Sequence, residues 1–345
     1  MLASLASSFP PVVVALSIAT LAALVSLTIL HVLLATGLAW KLATDIPNAR
    51  SMHTRPTPRT GGWGIVPAAA LAIFLAAPSL WLVGVAMLGV AIISQVDDRR
   101  GLPARVRFAA HLAVAIAAVC AYRGELGWIW VPVFVIAIAW FENLYNFMDG
   151  ADGLAGGMAV IGFGGYAAAA LSGPHPDWQL AWACAGIAGA ALGFLKLNFH
   201  PARLFLGDAG SVSLGFLAGA LGYWGWRHAV WPIWLPVMVF SPFIADASVT
   251  LSRRLLRKER FWEAHREHYY QRLVRSGMSH AAMARRWYVV MALASGLALF
   301  ALRQPESVQW GAIVVWAAVL IVLGMLTDRR WRHFQTTTQP KERRP

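Results

Sequence analysis

Charge is scarce in this chain. Asp, Glu, Lys and Arg make up 13% of its 345 residues, where an ordinary soluble domain carries about 25%. Acids are the scarcer sign, 16 Asp and Glu against 29 Lys and Arg. With 58% of the residues hydrophobic, so few charges cannot coat a water-soluble globule of this length, which excludes that class and leaves lipid as the solvent. Cysteine is nearly missing too. Cys120 and Cys184 both stand in apolar stretches, so there is no disulfide framework and no cysteine metal spacing; both are expected to be buried small hydrophobes. No Lys or Arg precedes Lys41. The first apolar run therefore lacks the positive flank of a cleavable signal peptide and is expected to remain as a helix. Internal repeats and low-complexity tracts are absent.

Long apolar runs are what the chain has in plenty. Eleven of them approach the roughly 20 residues that cross a bilayer: 11–40, 63–77, 80–96, 108–122, 128–145, 154–171, 179–195, 212–226, 230–251, 287–302 and 308–326. The expected fold is all-α, a polytopic membrane protein of about 11 transmembrane helices, with residues 1–327 as one multi-span domain. The basic tail, 328–345, is expected to be disordered. Connections at 41–62, 97–107, 195–211 and 252–286, together with the tail, hold 26 of the 29 Lys and Arg, and the opposite connections hold only Arg123, Arg227 and Arg303. Basic residues gather on the cytoplasmic side, so the N-terminus is expected in the periplasm and the C-terminus in the cytoplasm. This distribution also accounts for the net charge of +13 without nucleic acid. The long basic connection, 252–286, reads either as a solvated loop or as an amphipathic helix on the headgroups, anchored by Phe261, Trp262 and Tyr269.

The few acids are not scattered. With that orientation, three separate motifs bring carboxylates to the cytoplasmic face. VDDRRG puts Asp97 and Asp98 at the end of the third run, and adjacent carboxylates call for a cation. NLYNFMDGADGLAGG sets Asn143, Asn146 and Asp149 on one side of a helix, followed by Asp152 and by glycines that free the backbone. An EF-hand would need Glu where Val160 stands, which rules that loop out. LNFHPARLFLGDAGSVSLG holds Asp208 in a glycine turn suited to a phosphate, without the Lys of a P-loop. HREHYYQRL places His265 and His268 at i and i+3. Zinc there would need more ligands, Glu263 and Glu267 being the nearest acids, and contact with phosphate oxygens is the preferred reading. His31, His111 and His228 are expected to be satisfied histidines at or within apolar helices. In the first basic connection, Arg50, His53, Arg55 and Arg59 suit phosphate contacts, with an ordinary cytoplasmic loop as the alternative.

Together these motifs resemble the bacterial polyprenyl-phosphate N-acetylhexosamine-1-phosphate transferases, over about 45–277. The resemblance rests on VDD followed by Arg105 and Arg107, NxxNxxDGxDGL, LNxxPAxxFxGDxGS and HxxH. It implies transfer of a sugar phosphate from a UDP-HexNAc donor to undecaprenyl phosphate. It implies Mg²⁺, with Mn²⁺ as a substitute, on Asp208 and Asp98. Asp97, Asp98, Asp149, Asp152, His265 and His268 are then the catalytic set. Asn143, Asn146, Asn198, Arg55, Arg59, Arg105 and Arg107 bind substrate, and Phe205 stacks on uracil. Membrane lipid is a partner, and a homodimer is allowed. The chain lacks the run of adjacent histidines found in the muramoyl-pentapeptide branch, and Arg105 stands where Lys is frequent. Its HREHYYQRL wording is more similar to enzymes that initiate O-antigen with FucNAc, QuiNAc or GlcNAc. Two other classes remain as alternatives, a transporter and a catalytically silent scaffold. A transporter places ionisable groups near the bilayer midplane, whereas only Glu142 and Asp246 fall inside apolar runs here, both near cytoplasmic ends.

Overall fold

The computed structural model describes residues 9–47, 52, 55–260 and 265–338. Arg50, His53, Phe261, Trp262 and Glu263 lie outside the described residues. Among those described, eleven helices have fifteen residues or more: α1 Pro11–Ala35, α2 Gly62–Ala76, α3 Trp81–Arg100, α4 Ala104–Ala121, α5 Val131–Phe147, α6 Leu154–Ser172, α7 Trp178–Asn198, α8 Asp208–Arg227, α9 Ser241–Leu256, α10 His280–Ala301 and α11 Glu306–Thr338. Each expected apolar run forms one of them. The protein is an all-α polytopic membrane protein.

Seven helical segments, rather than eleven, are both long and apolar enough to cross a bilayer. The other four fall short for visible reasons. The α2 helix has only 15 residues. In α8, serines, glycines and amphipathic aromatics lower the hydropathy. The ninth run is broken at Phe240 between Trp234–Val239 and α9, because Pro242 has no N–H to continue the helix. The α10 helix opens on His280, Arg285 and Arg286. The eleventh helix runs longer than expected. The segment after Asp328, expected to be disordered, is helical as far as Thr338.

Helices in lipid gain no hydrophobic drive from meeting one another, so small residues that permit close approach decide their packing. The buried centre shows this. On α7, a Cβ added at Gly186 would stand 2.2 Å from the Ala72 Cβ of α2. One at Gly189 or Gly193 would stand 2.0 or 2.3 Å from backbone oxygens of α1. This one face of α7 therefore presses directly on α1 and α2. Likewise Gly215 of α8 meets the backbone of α5 at Phe141. The break in the ninth run is itself a packing device: Phe240 is fully buried, with its ring 5.3–5.8 Å from those of Phe141, Phe163 and Tyr166.

The two cysteines differ: Cys184 is buried as expected, and Cys120 is exposed on α4. His31 and His228 satisfy their rings on carbonyls four residues back, both at 2.9 Å. His111 does not. Its Nδ1 lies 3.2 Å from Oε2 of the fully buried Glu142 across the contact of α4 with α5, without the geometry of a hydrogen bond.

Candidate active site

One face of the bundle collects the end of α3, the end of α5 and the starts of α2 and α8. Two close approaches set their spacing. A Cβ on Gly62 would lie 2.5 Å from the amide nitrogen of Gly210, so α2 and α8 start in contact. Gly207 has φ 74°, a conformation that costs glycine little and other residues more, and a Cβ there would lie 2.9 Å from the Arg59 carbonyl. The connection ahead of α2 is strapped onto the one ahead of α8. Strand β1, Thr44–Asp45, pairs antiparallel with β2, Thr57–Pro58. The Phe205 amide then donates to Pro58 O at 2.7 Å, and the amides of Gly61 and Gly62 donate to Phe205 O and Leu206 O at 2.8 and 2.9 Å.

Around this strap the structure brings together Asp98, Asp208, Arg59 and Asn146. Arg59 Nη2 donates to Asp208 Oδ1 at 3.1 Å and lies 3.6 Å from Asp98 Oδ1. Asn146 Nδ2 reaches the same Asp208 oxygen at 3.1 Å and Ser211 Oγ at 3.0 Å. The Asp208 amide, first of α8, donates to Asp98 Oδ2 at 3.1 Å. Ser211, expected with Gly207 and Gly210 to bring the backbone close to a phosphate, here also takes the Asn146 amide on its hydroxyl.

Asp149 follows one turn after Asn146. Its carboxyl is pushed well above the ordinary range by burial and by the charges of Asp208, Asp98 and Asp45, against which Arg59 is the lone cation. Burial works to lower the Arg59 guanidinium, but Asp208 and then Asp98 outweigh it and the net shift is upward. Burial, and then the Asp208 charge, push the Asp98 carboxyl up as well, to about 6. Four carboxyl groups thus crowd one guanidinium, and a bound cation would relieve the strain of ionising them together.

The adjacent acids of α3 part company. Asp98 turns into the cluster. Asp97 accepts the Leu102 amide at 2.6 Å and Arg107 Nη1 at 2.8 Å, so Asp97 and Arg107 together fix the turn from α3 into α4. Arg105 is exposed and makes no ion pair among the described residues. Arg55 is exposed at the rim of the strap. Asn143 Nδ2 bonds back to Ala139 O at 2.7 Å within α5. Asn198 is buried, accepting the Gly153 amide at 2.9 Å and donating to Leu204 O at 3.0 Å. It holds two loops together, and neither end of its amide is free. Asp152 is engaged by His200, Ala202 and His280.

The histidine motif is not one helical turn. His268 is the N-cap of the short helix Tyr269–Arg275, and its Nδ1 lies 3.1 Å from Asp246 Oδ1. Asp246 also accepts the Tyr269 and Tyr270 amides at 2.9 and 3.1 Å. Tyr270 reaches back to Phe147 O at 3.1 Å, and the His268 ring stacks 6.2 Å from that of Phe147. The segment therefore docks against the end of α5. Among the described residues it is in part a short helix packed on the protein, not a bare loop. Arg254 pairs with Glu267 at 3.0 Å, and Arg253 and Arg272 both pair with Asp328 of α11, at 2.8 and 2.7 Å. Tyr269 lies under Arg253 and Arg272, each 5.4 Å from its ring centre. Glu267 is thus taken up by arginine.

His265 lies with its ring 4.9 Å from that of His268. Burial, and then His268 and Arg254, push its imidazole down to about 4. The fold therefore prefers it neutral. Stability from this group is complete above its unfolded value of about 6.5 and is lost as pH falls through that value towards the folded one. His265→Gln is expected to flatten the stability–pH curve between pH 6.5 and about 4. Denaturation curves of variant and wild type that kept the same pH slope would sink this assignment.

A carboxylate cluster at the polar ends of apolar, membrane-length helices is the kind of site that suits charged groups at a bilayer surface. Comparison with known proteins agrees. The profile of glycosyl transferase family 4 matches residues 80–225, which include Asp98, Asn146, Asp149 and Asp208. A probable undecaprenyl-phosphate N-acetylglucosaminyl 1-phosphate transferase of Bacillus subtilis (strain 168) is 33% identical over 257 residues, 69% of this chain and 71% of the relative. A decaprenyl-phosphate N-acetylglucosaminephosphotransferase of Mycobacterium leprae is 27% identical over 84% of this chain and 86% of the relative. A phospho-N-acetylmuramoyl-pentapeptide-transferase of Shouchella clausii is 34% identical over 200 residues, 48% of this chain and 60% of the relative. The chain belongs to glycosyl transferase family 4.

Proposed function

We propose that this protein transfers an N-acetylhexosamine 1-phosphate from a UDP-sugar to undecaprenyl phosphate. The products are an undecaprenyl-diphosphate sugar and UMP. The observation that carries this is the Asp98–Asp208–Arg59–Asn146 cluster at the lipid–water boundary, where a water-soluble donor and a lipid phosphate meet. The names of the Bacillus and Mycobacterium relatives support the same reaction. We place the reaction in the bacterial inner membrane with the site facing the cytoplasm, as the first step of O-antigen or a related envelope polysaccharide. The absence of adjacent histidines argues against the muramoyl-pentapeptide substrate.

The donor set fits a hard divalent cation. It consists of oxygens, and Asp208 and Asp98 are the residues to hold Mg²⁺, or Mn²⁺ in its place. Mg²⁺ binds through one or two carboxylates plus substrate phosphates, and when bound it would neutralise charge on the pyrophosphate during transfer. Arg59 holds the Asp208 carboxylate in place and brings a second positive charge to the same point. Asn146 orients Asp208 from the opposite side. Asp97 is committed to Arg107 and the Leu102 amide, and Asp98 has Oδ2 on the Asp208 amide and its other oxygen beside Arg59, where it serves the cation better than it serves as a nucleophile. A phosphate monoester has a second pKa near 6 and is largely dianionic at pH 7. Direct attack by the lipid phosphate then needs positioning more than a base.

The test is purified protein with Mg²⁺, undecaprenyl phosphate and a panel of UDP-HexNAc donors, read as lipid-linked product by mass. No product with any donor overturns the reading. A stoichiometric burst of UMP without lipid would instead establish a covalent route. Orientation is checked separately: a periplasmic reporter at Pro345 is expected to be silent and one near Arg303 active, and the reverse pattern overturns the topology.

A further inference from the structure

Three side chains outside the Asp208 cluster point ligand atoms at one another. Asp152, His200 and His280 each offer one atom, and these atoms all lie within 4.8 Å of one another. His200 Nδ1 is 2.7 Å from Asp152 Oδ2, and His280 Nδ1 is 3.7 Å from Asp152 Oδ1. The two imidazoles face each other, with ring centres 5.5 Å apart and 22° between their planes. Their carriers come from separate parts of the chain. Asp152 lies in the turn between α5 and α6, His200 follows α7, and His280 is the first residue of α10.

The carboxylate is already positioned. The Ala202 amide donates to its Oδ2 at 3.2 Å, and the Asp152 amide donates to His280 Nδ1 at 3.3 Å. In the second contact the one in-plane lone pair of His280 Nδ1 accepts the amide, and a metal would take that lone pair over from it. Asp152 and His280 are largely covered, with side chains 10% and 13% exposed, and His200 at 41% leaves the cluster open on one side.

We propose that Asp152, His200 and His280 form a binding site for a borderline divalent metal of the Zn²⁺ type. It is separate from the all-oxygen Asp98–Asp208 site. Two imidazoles and one carboxylate are a ligand set that zinc takes at about 2.0–2.2 Å, and a fourth position open to water completes a tetrahedron. Mg²⁺ disfavours such a set because it prefers oxygen donors in an octahedron. The ligands need to close by only a small movement, since His200 already touches the carboxylate. Binding displaces the proton shared between His200 Nδ1 and Asp152, so metal uptake releases a proton and weakens in acid. The ion ties the turn after α5, the loop after α7 and the start of α10 to one point. It thereby fixes the loop that leads from Asn198 to Asp208. Its role is to position that loop.

The experiment uses the tag-free full chain in detergent, stripped with chelator and titrated with Co²⁺ as a spectroscopic stand-in for zinc. One equivalent per chain is expected to give the intense visible bands of a four-coordinate site. Zn²⁺ is expected to abolish them, and a large excess of Mg²⁺ to leave them. His200→Gln and His280→Gln should each weaken binding by more than the roughly 10–100-fold that loss of an outer-shell partner costs. Zinc-edge absorption on the wild-type protein reads the ligands without any substitution, and two imidazoles with oxygen donors are expected. An oxygen-only shell, no saturable Co²⁺ signal, or a signal retained in both variants overturns the proposal. Thermal stability that falls in the variants but ignores zinc in the wild type also overturns it, leaving plain histidine–carboxylate hydrogen bonds.

Discussion

Asp208→Asn is expected to lower sugar-phosphate transfer by about 100–1000-fold, the scale on which loss of a group that stabilises transition-state charge is felt. The asparagine carbonyl still accepts from Arg59 Nη2 and Asn146 Nδ2, both at 3.1 Å in the wild type. The start of α8 keeps its shape, and melting temperature and helix content should barely move. What is lost is a full negative charge where a cation must sit. The rate is read as UMP released per enzyme, and Mg²⁺ dependence is measured beside it. A variant turning over within a few-fold of wild type would remove Asp208 from the metal site.

The second large effect is at Asp246, which is 2% exposed and accepts from His268, Tyr269, Tyr270 and Thr250. Asp246→Ala leaves those donors buried without their acceptor, and each orphan costs about 1–3 kcal/mol. The short helix Tyr269–Arg275 cannot bear that and is expected to undock from α5, while the rest of the bundle keeps its lipid-embedded packing. Peptide-resolved hydrogen exchange should rise over 266–276 and stay unchanged in α7 and α8, and transfer activity should fall. Unaltered exchange across 266–276 would show that Asp246 does not hold the segment.

The helices were legible because apolar runs of bilayer length leave a chain few alternatives. The cluster around Asp208 was legible in composition, since acids were too rare to be scattered by chance onto three motifs. Its wiring was not. Asp97 and Asp98 look equivalent in a sequence, but successive residues on a helix point about 100° apart, and only the position of α8 decides which one turns inward. Asn198 and Asp152 carried the right chemistry, yet their partners, among them Gly153, Leu204 and His280, are fixed by tertiary packing. His280 lies 128 residues from Asp152, with no spacing rule to connect them. The first part of the tail, as far as Thr338, differs from the disorder its polarity suggested, because Asp328 is held by Arg253 and Arg272 and the helix carries on through it. That pairing, 56 and 75 residues apart, left no local pattern.

The hold of Asp328 on Arg253 and Arg272 also sets an order of assembly during synthesis. The ribosome delivers α11 after α1 to α10. Until it arrives, the segment carrying His265 and His268 has its Asp246 anchor but lacks the clamp from the far side. The segment is therefore expected to settle only once α11 has been made, and a chain that lacks α11 is expected to be inserted but idle. A chain ended after Thr327 is expected to reach the membrane in normal amount with little transfer activity, and full activity in that truncation would refute the order.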